Sequence, residues 1–412
     1  MKALKTILVL LVAITLLSCD KNNTNPTPEN KAPTGFNLIA VANGSTDVYP
    51  TLSWTAATDP DGDTVNYDVY LNATNDSNPT ELIAENLTET SFSIENRLEV
   101  LTNYAWKVIA KDNHGGSTSS AIYTFKTRKL SDGKLMVENA EFNPRRLHKT
   151  IVFKNELWLF GGRTVNGFQN DIWKSSDGLT WQNITNDAEF GKLNGFSISI
   201  FKDKIQIIGG KDSNGNYTNT IWTSTDGLHW VKISTPPEFE GRHLHTSLIY
   251  NDKLWVIGGY NGTIRKNDVW FSEDGITWQM ATANANFSPR EEHAATVFDG
   301  KMWIIGGNDG INKNDVWSST NGIDWNLVTE NAAFSARQQH TVNTFDHKMW
   351  LIAGTNTNNE VWYSNDGVIW SASTLEANFP KRSLHTTTVF NNKLWVIGGD
   401  GSSLKNDVWY LD

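Results

Sequence analysis

The run Arg290-Glu291-Glu292-His293 sets two carboxylates between a cation and an imidazole. Such a set can supply a general acid and a general base. Glu291, with Arg290 and His293, is therefore the catalytic candidate if the chain is an enzyme. A second group of residues is spread along the chain: Arg163 and Phe168; Lys211 and Tyr217; Tyr260 and Arg265; Asn308 and Asp309; Asn356; Asp400. Aromatics mixed with Arg, Asn and Asp suit a sugar, whose hydroxyls need paired donors and acceptors and whose CH faces stack on rings. They also suit an acidic peptide segment. Asp59, Asp61 and Asp63 alternate around Gly62, which is the chemistry of a calcium loop without the bidentate glutamate of an EF-hand. An Asx-rich turn between strands is the structural alternative. No serine elbow, phosphate loop or His-rich zinc motif is present, and no cofactor is expected.

The ten dispersed residues follow small-Gly pairs, at Gly161-Gly162, Gly209-Gly210, Gly258-Gly259, Gly306-Gly307, Ala353-Gly354 and Gly398-Gly399. Around each pair one unit of about 48 residues recurs. Ahead of the pair come an arginine (Arg145, Arg242, Arg290, Arg337, Arg382), a histidine (His148, His245, His293, His340, His385) and a tryptophan (Trp158, Trp255, Trp303, Trp350, Trp395). After it come Asn-Asp-Val-Trp or a variant, a Ser-x-Asp-Gly turn and another tryptophan, such as Trp181. The unit at Gly209 breaks the pattern with Leu193, Phe196 and Gln206. Four short strands per unit cannot bury both faces alone, and radial stacking solves that. The last unit stops after its third strand. Ser131 to Met136 resembles the missing fourth, with Met136 in the tryptophan position and Ala140-Glu141-Phe142 matching Ala188-Glu189-Phe190.

The expected architecture is all-β, with a closed six-bladed β-propeller over 131–412. The recurring arginines and histidines are expected to be blade-to-blade hydrogen-bonding groups. Chain direction puts the Arg-x-x-His segments and the post-glycine loops on one face, at the channel mouth, and the Ser-x-Asp-Gly turns on the other. The repeat resembles the kelch repeat. That resemblance implies a ligand-binding mouth, or in some members an enzyme. Galactose oxidase has this blade type, but its site needs a cysteine bonded to a tyrosine. Six-bladed bacterial kelch proteins include a sialic acid mutarotase, and this is the alternative to a non-catalytic binder.

Residues 33–128 alternate like seven or so short strands, among them Thr51–Trp54, 65–71, 101–108 and 121–126. They resemble a fibronectin type III domain, with Trp54 as core tryptophan and Tyr104 as tyrosine corner. The start is basic, then apolar from Thr6 to Leu17, and ends in Leu16-Leu17-Ser18-Cys19. It resembles a lipoprotein signal peptide over 1–19, which implies that Cys19, the only cysteine, carries lipid. With one cysteine there is no disulfide within the chain and no multi-cysteine metal site. Residues 20–32 read as a flexible tether. The net charge of −10 argues against a nucleic-acid partner. The expectation is a monomeric cell-envelope lipoprotein, with the outer membrane favoured, that meets a glycan or an envelope protein. Of 18 tryptophans, 16 fall in the repeats, so the indoles are mainly structural.

Overall fold

The computed structural model describes residues 29–39, 41, 45–73, 78–355 and 358–412. The leader, Cys19 and most of the tether therefore lie outside the described residues, as does Asn356. Among the described residues there are strands and turns but no α-helix. Contacts divide the chain into two units. One consists mainly of Pro50–Ile94 and Asn103–Phe125, the other of Gly44–Tyr49, Glu95–Thr102 and Lys126–Asp412.

The first unit is a sandwich. One sheet joins Leu38–Ile39, Thr51–Trp54 and Ser91–Ser93. The other centres on Asn66–Ala73 and Asn103–Lys111, paired antiparallel over eight residues from Asn66↔Lys111 to Ala73↔Tyr104. Trp54 is buried and its ring lies 5.5 Å from that of Tyr67. Tyr104 is buried and stacked 5.6 Å from Phe125. The sequence-based tether runs too far. Asn30 Nδ2 donates to Asp112 (2.7 Å), and the Lys31 backbone N–H donates to Asp61 (2.7 Å), so these residues are part of the sandwich.

The second unit holds six four-stranded antiparallel sheets, one of which carries an additional short strand. In blade one the strands run Lys149–Phe153, Glu156–Thr164, Gly167–Ser175 and Gln182–Thr185 from innermost to outermost. The inner hairpins turn on residue pairs with left-handed φ, such as Asn251-Asp252 (47° and 56°). Two such residues make the type I′ turn that matches strand twist. The Gly pair forms a bulge within the second strand, where the register shifts between Phe160 and Gly162. Gly162 has φ 95°, and a Cβ there would stand 2.6 Å from the His148 nitrogen. The strand therefore continues past the glycines and does not end at them. The fourth strand likewise starts just after its tryptophan, at Gln182.

Each blade packs on the next through a dry layer. Phe160, Ile172, Phe196, Ile205 and Trp230 share one cluster across blades one and two. Leu157, Leu159, Trp395 and Ile397 share another, across blades six and one. The second-strand indole lies flat on the glycine of the neighbouring Ser-x-Asp-Gly turn: a Cβ at Gly178 would collide with Trp395, and one at Gly227 with Trp158. The sixth blade is completed by Lys134–Val137, which pairs with Leu404–Leu411. A strand that precedes the first blade thus finishes the last sheet, as the repeat arithmetic indicates, but in another register. Lys134 pairs with Tyr410 as Gln182 pairs with Lys174. Gly133, not Met136, therefore holds the tryptophan position. A Cβ at Gly133 would lie 3.3 Å from Phe379, the ring that would meet the missing indole.

Candidate functional site

The arginines and histidines at the start of each blade have separate structural duties. Each arginine is fully buried and serves its own blade. Arg290 donates to both oxygens of Asp315 (2.7 and 2.8 Å) and to the Gly306 carbonyl (2.9 Å). Arg145, Arg242 and Arg382 bind Asp171, Asp268 and Asp407 in the same way, and Arg337 reaches Glu360. Bidentate pairing of this kind fixes orientation as well as charge. The histidines instead link blades. His293 Nε2 is bonded to Thr246 Oγ1 (2.9 Å), His245 to Ser197 (2.9 Å), and His148 to Thr386 (3.2 Å). The expectation of blade-to-blade bonding thus fits the histidine side chains, whereas the guanidinium bonds stay within one blade. Burial pushes His293, His340 and His385 down to about 3, with neighbouring arginines adding to the effect.

The residue after each arginine bridges the residue just past each Gly pair: Arg146 to Arg163, His243 to Tyr260, Glu291 to Asn308, Ser383 to Asp400. These bridges place the d-to-a segments and the post-glycine loops on one face. The next position in each segment is left-handed, with φ 53° to 61° at Leu147, Gly195, Leu244, Glu292, Gln339 and Leu384. Backbone bonds join them around the mouth. Leu244 donates to Gly195, Glu292 to Leu244, Gln339 to Glu292, Leu384 to Gln339, and Leu147 to Leu384. The last of these links blade one to blade six, as does the Arg146–Asp400 ion pair.

The predicted ligand residues divide into two groups on this rim. Lys211, Tyr217, Tyr260, Arg265, Glu291 and Asp309 form one arc across blades two to four. Tyr260, Arg265, Glu291 and Asp309 line an open cavity of about 620 Å³ with Thr263, Ile264, Ser288 and Pro289. Tyr217 meets His243 edge-on at 4.9 Å and Tyr260 at 5.8 Å, and Lys211 Nζ sits 5.0 Å above the Tyr217 ring. Arg265 Nε pairs with Glu291 (3.1 Å), and His243 Nε2 stands 3.9 Å from the same carboxylate. Burial raises Glu291 despite Arg265, and burial together with Lys211 pushes His243 down to about 4. The second group is committed elsewhere. Arg163 stacks on Phe168 (5.6 Å), Asn308 bonds Asn312 (3.0 Å), and Asp400 holds Arg146.

The candidate catalytic set is not assembled. Arg290 is enclosed by Asp315, His293 faces the central channel, and only Glu291 reaches the rim cavity. The Asp59, Asp61 and Asp63 carboxylates also diverge. Asp59 caps its own turn by accepting from the Asp61 backbone N–H (2.8 Å), Asp61 takes Lys31, and Asp63 takes His114 (3.2 Å). Among the described residues no three His, Cys, Asp or Glu side chains form a metal cluster. His243 was the rim residue that the sequence hid, because it stands between two recurring residues. Its register, shared with Glu291, is the signal that marks it.

This blade pattern, with its Arg–Asp pairs, linking histidines and outer strand supplied from the front, agrees with the family matches. The chain carries a fibronectin type III domain followed by Kelch repeats. The fibronectin type III domain matches residues 31–126, the Kelch-repeats domain of the KLHDC2/KLHL20/DRC7 type matches 176–354, and the Kelch motif matches 381–412. No curated protein matches the chain. Kelch repeats suggest a protein- or ligand-binding scaffold.

Proposed function

We propose that the protein is a monomeric, non-catalytic cell-envelope lipoprotein, anchored through Cys19, whose propeller binds a carbohydrate at the rim of blades two to four. The observation that carries this reading is the Tyr217–His243–Tyr260 aromatic group beside the Arg265–Glu291 pair, around an open cavity. Ring faces take the CH side of a sugar, and the charged pair offers donors and acceptors to its hydroxyls. An isomerase of the mutarotase type would need a second titrating group beside Glu291. Arg290 and His293 serve the blade frame, which leaves His243, 3.9 Å from the Glu291 carboxylate, as the one candidate for it.

A glycan array with the purified protein, run beside an NMR assay of sugar mutarotation, tests the proposal. Saturable glycan binding without turnover is expected, weakened at least tenfold by Tyr260→Ala with an unchanged melting temperature. Turnover abolished by Glu291→Gln would favour the enzyme. Binding of acidic peptides in place of glycans would move the ligand class to protein.

A further inference from the structure

The channel inside the propeller is lined by the innermost strands and encloses about 290 Å³. Its hydroxyls and most of its histidine Nε2 atoms are paired with each other. The histidine of each blade takes the residue that follows the histidine of the preceding blade: Thr386, Ser197, Thr246 and Thr341 in four cases. Deeper in, Thr150 bonds Thr388 (2.6 Å) and Ser199 bonds Ser247 (2.8 Å). Two positions break the scheme. Blade two has Phe196 for its histidine, and the residue it would have bonded is Lys149. In blade five His340 faces Ala294, which has no hydroxyl, and its buried Nε2 has no partner.

Lys149 is thus the one cation of an acid-free lining. Its ammonium makes no hydrogen bond or ion pair with the described residues, and burial alone lowers it to about 8. An ammonium partly withdrawn from water with no counter-charge beside it is costly, and a site that keeps one invites an anion. By the order of the blades, Lys149 in blade one lies on the wall opposite Ala294 in blade four, the residue that leaves the His340 nitrogen without a partner. We propose that the channel is a binding site for a small oxyanion, a carboxylate or an inorganic one, held by Lys149 with His340 on the far wall. The volume suits a ligand smaller than a typical drug-sized molecule.

Calorimetric titration of the purified protein with acetate, phosphate and sulfate, each at fixed ionic strength in chloride, tests this. At least one anion is expected to bind saturably at a single site. Lys149→Thr installs the residue that three other blades carry at that position, and should weaken binding at least tenfold with the fold retained. His340→Phe should weaken it severalfold, and Tyr260→Ala, on the rim, not at all. Acetate alone would identify a carboxylate ligand, and phosphate or sulfate alone an inorganic one. On the unmutated protein with carbon-13-labelled lysine, the bound anion should move one lysine titration upward from about 8. No saturable binding of any of the three, binding kept by a folded Lys149→Thr, or an unmoved titration would overturn the proposal.

Discussion

In blade three, Arg242 grips Asp268, His245 reaches Ser197, and Trp255 lies flat on Gly322. In blade two the same positions hold Leu193 and Thr220, Phe196, and Gln206. Strand for strand the two sheets match apart from an extra two-residue strand, Leu193–Asn194, which pairs with Asp212 and Lys211. The ionic frame is exchanged as a unit. Leu193 replaces the arginine, and its acid partner becomes Thr220, so no buried charge is stranded. Leu193 and Phe196 are buried, and Phe190 meets Phe196 at 6.5 Å. Replacing a buried ion pair by well-packed apolar groups is often neutral, whereas removing one partner is not.

The largest effect should come from splitting that unit. Arg242→Leu leaves Asp268 uncompensated and is expected to cost about 3–5 kcal/mol in chemical denaturation. Adding Asp268→Thr, which copies blade two, should restore most of it. Failure of the double variant to recover would break the comparison. Next, Trp255→Gln should cost about 2–4 kcal/mol as an indole-sized space opens over Gly322. The reverse exchange, Gln206→Trp, should stabilise blade two by about 1 kcal/mol, since Gly275 already offers the flat seat. The melting temperatures of both check this.

Acid sensitivity sharpens the contrast further. The buried histidines sit far below the ordinary value of 6.5, so the unfolded chain takes up protons that the fold excludes. Their stabilisation is complete above pH 6.5 and is lost as pH falls toward 3. His385→Phe, which copies Phe196, should flatten that acid limb by about one proton in melts across pH 4–6.5. The opposite pH dependence is expected at Glu292, which burial pushes up to about 7 against its bonds from Gln339. As an acid raised above 4.5, it contributes stability below that pH and loses it as pH rises through 7. Glu292→Gln should therefore leave the melting temperature unchanged at pH 4.5 and raise it at pH 8.

The blade count, the faces and the use of a front strand to finish the last sheet were all legible, because six copies let each position be compared with itself. The Arg–Asp pairing was not read, since the arginines were expected to bond from blade to blade, although its signal is there: Leu193 and Thr220 vary together while the neighbouring Asn219 stays. The register of the closing strand was not, because the Ser-Asp-Gly of 131–133 imitates the turn of 176–178. Pairing to Leu404–Leu411 overrides that likeness. Of the site, the rim face was legible but the grouping on it was not. Which loop residues lean on each other, as Arg163 does on Phe168, depends on side-chain packing that no spacing encodes. Lys149 escaped notice for the opposite reason. A lysine opening a strand looks ordinary until the ring of hydroxyls it interrupts can be seen.

The closing strand also orders events in time. Asp412 and Ser131 are joined by a hydrogen bond although they lie 281 residues apart in sequence. On the ribosome, the strand Lys134–Val137 is therefore made long before Leu404–Leu411 exists to receive it. Until then it is an unpaired edge, and the first blade waits without its sixth neighbour. Contacts of such sequence separation form slowly, and exposed edges in waiting are where chains go astray. Newly made propellers should depend on being shielded during synthesis, and the emergence of Leu404–Leu411 should set the pace at which the ring becomes resistant to protease.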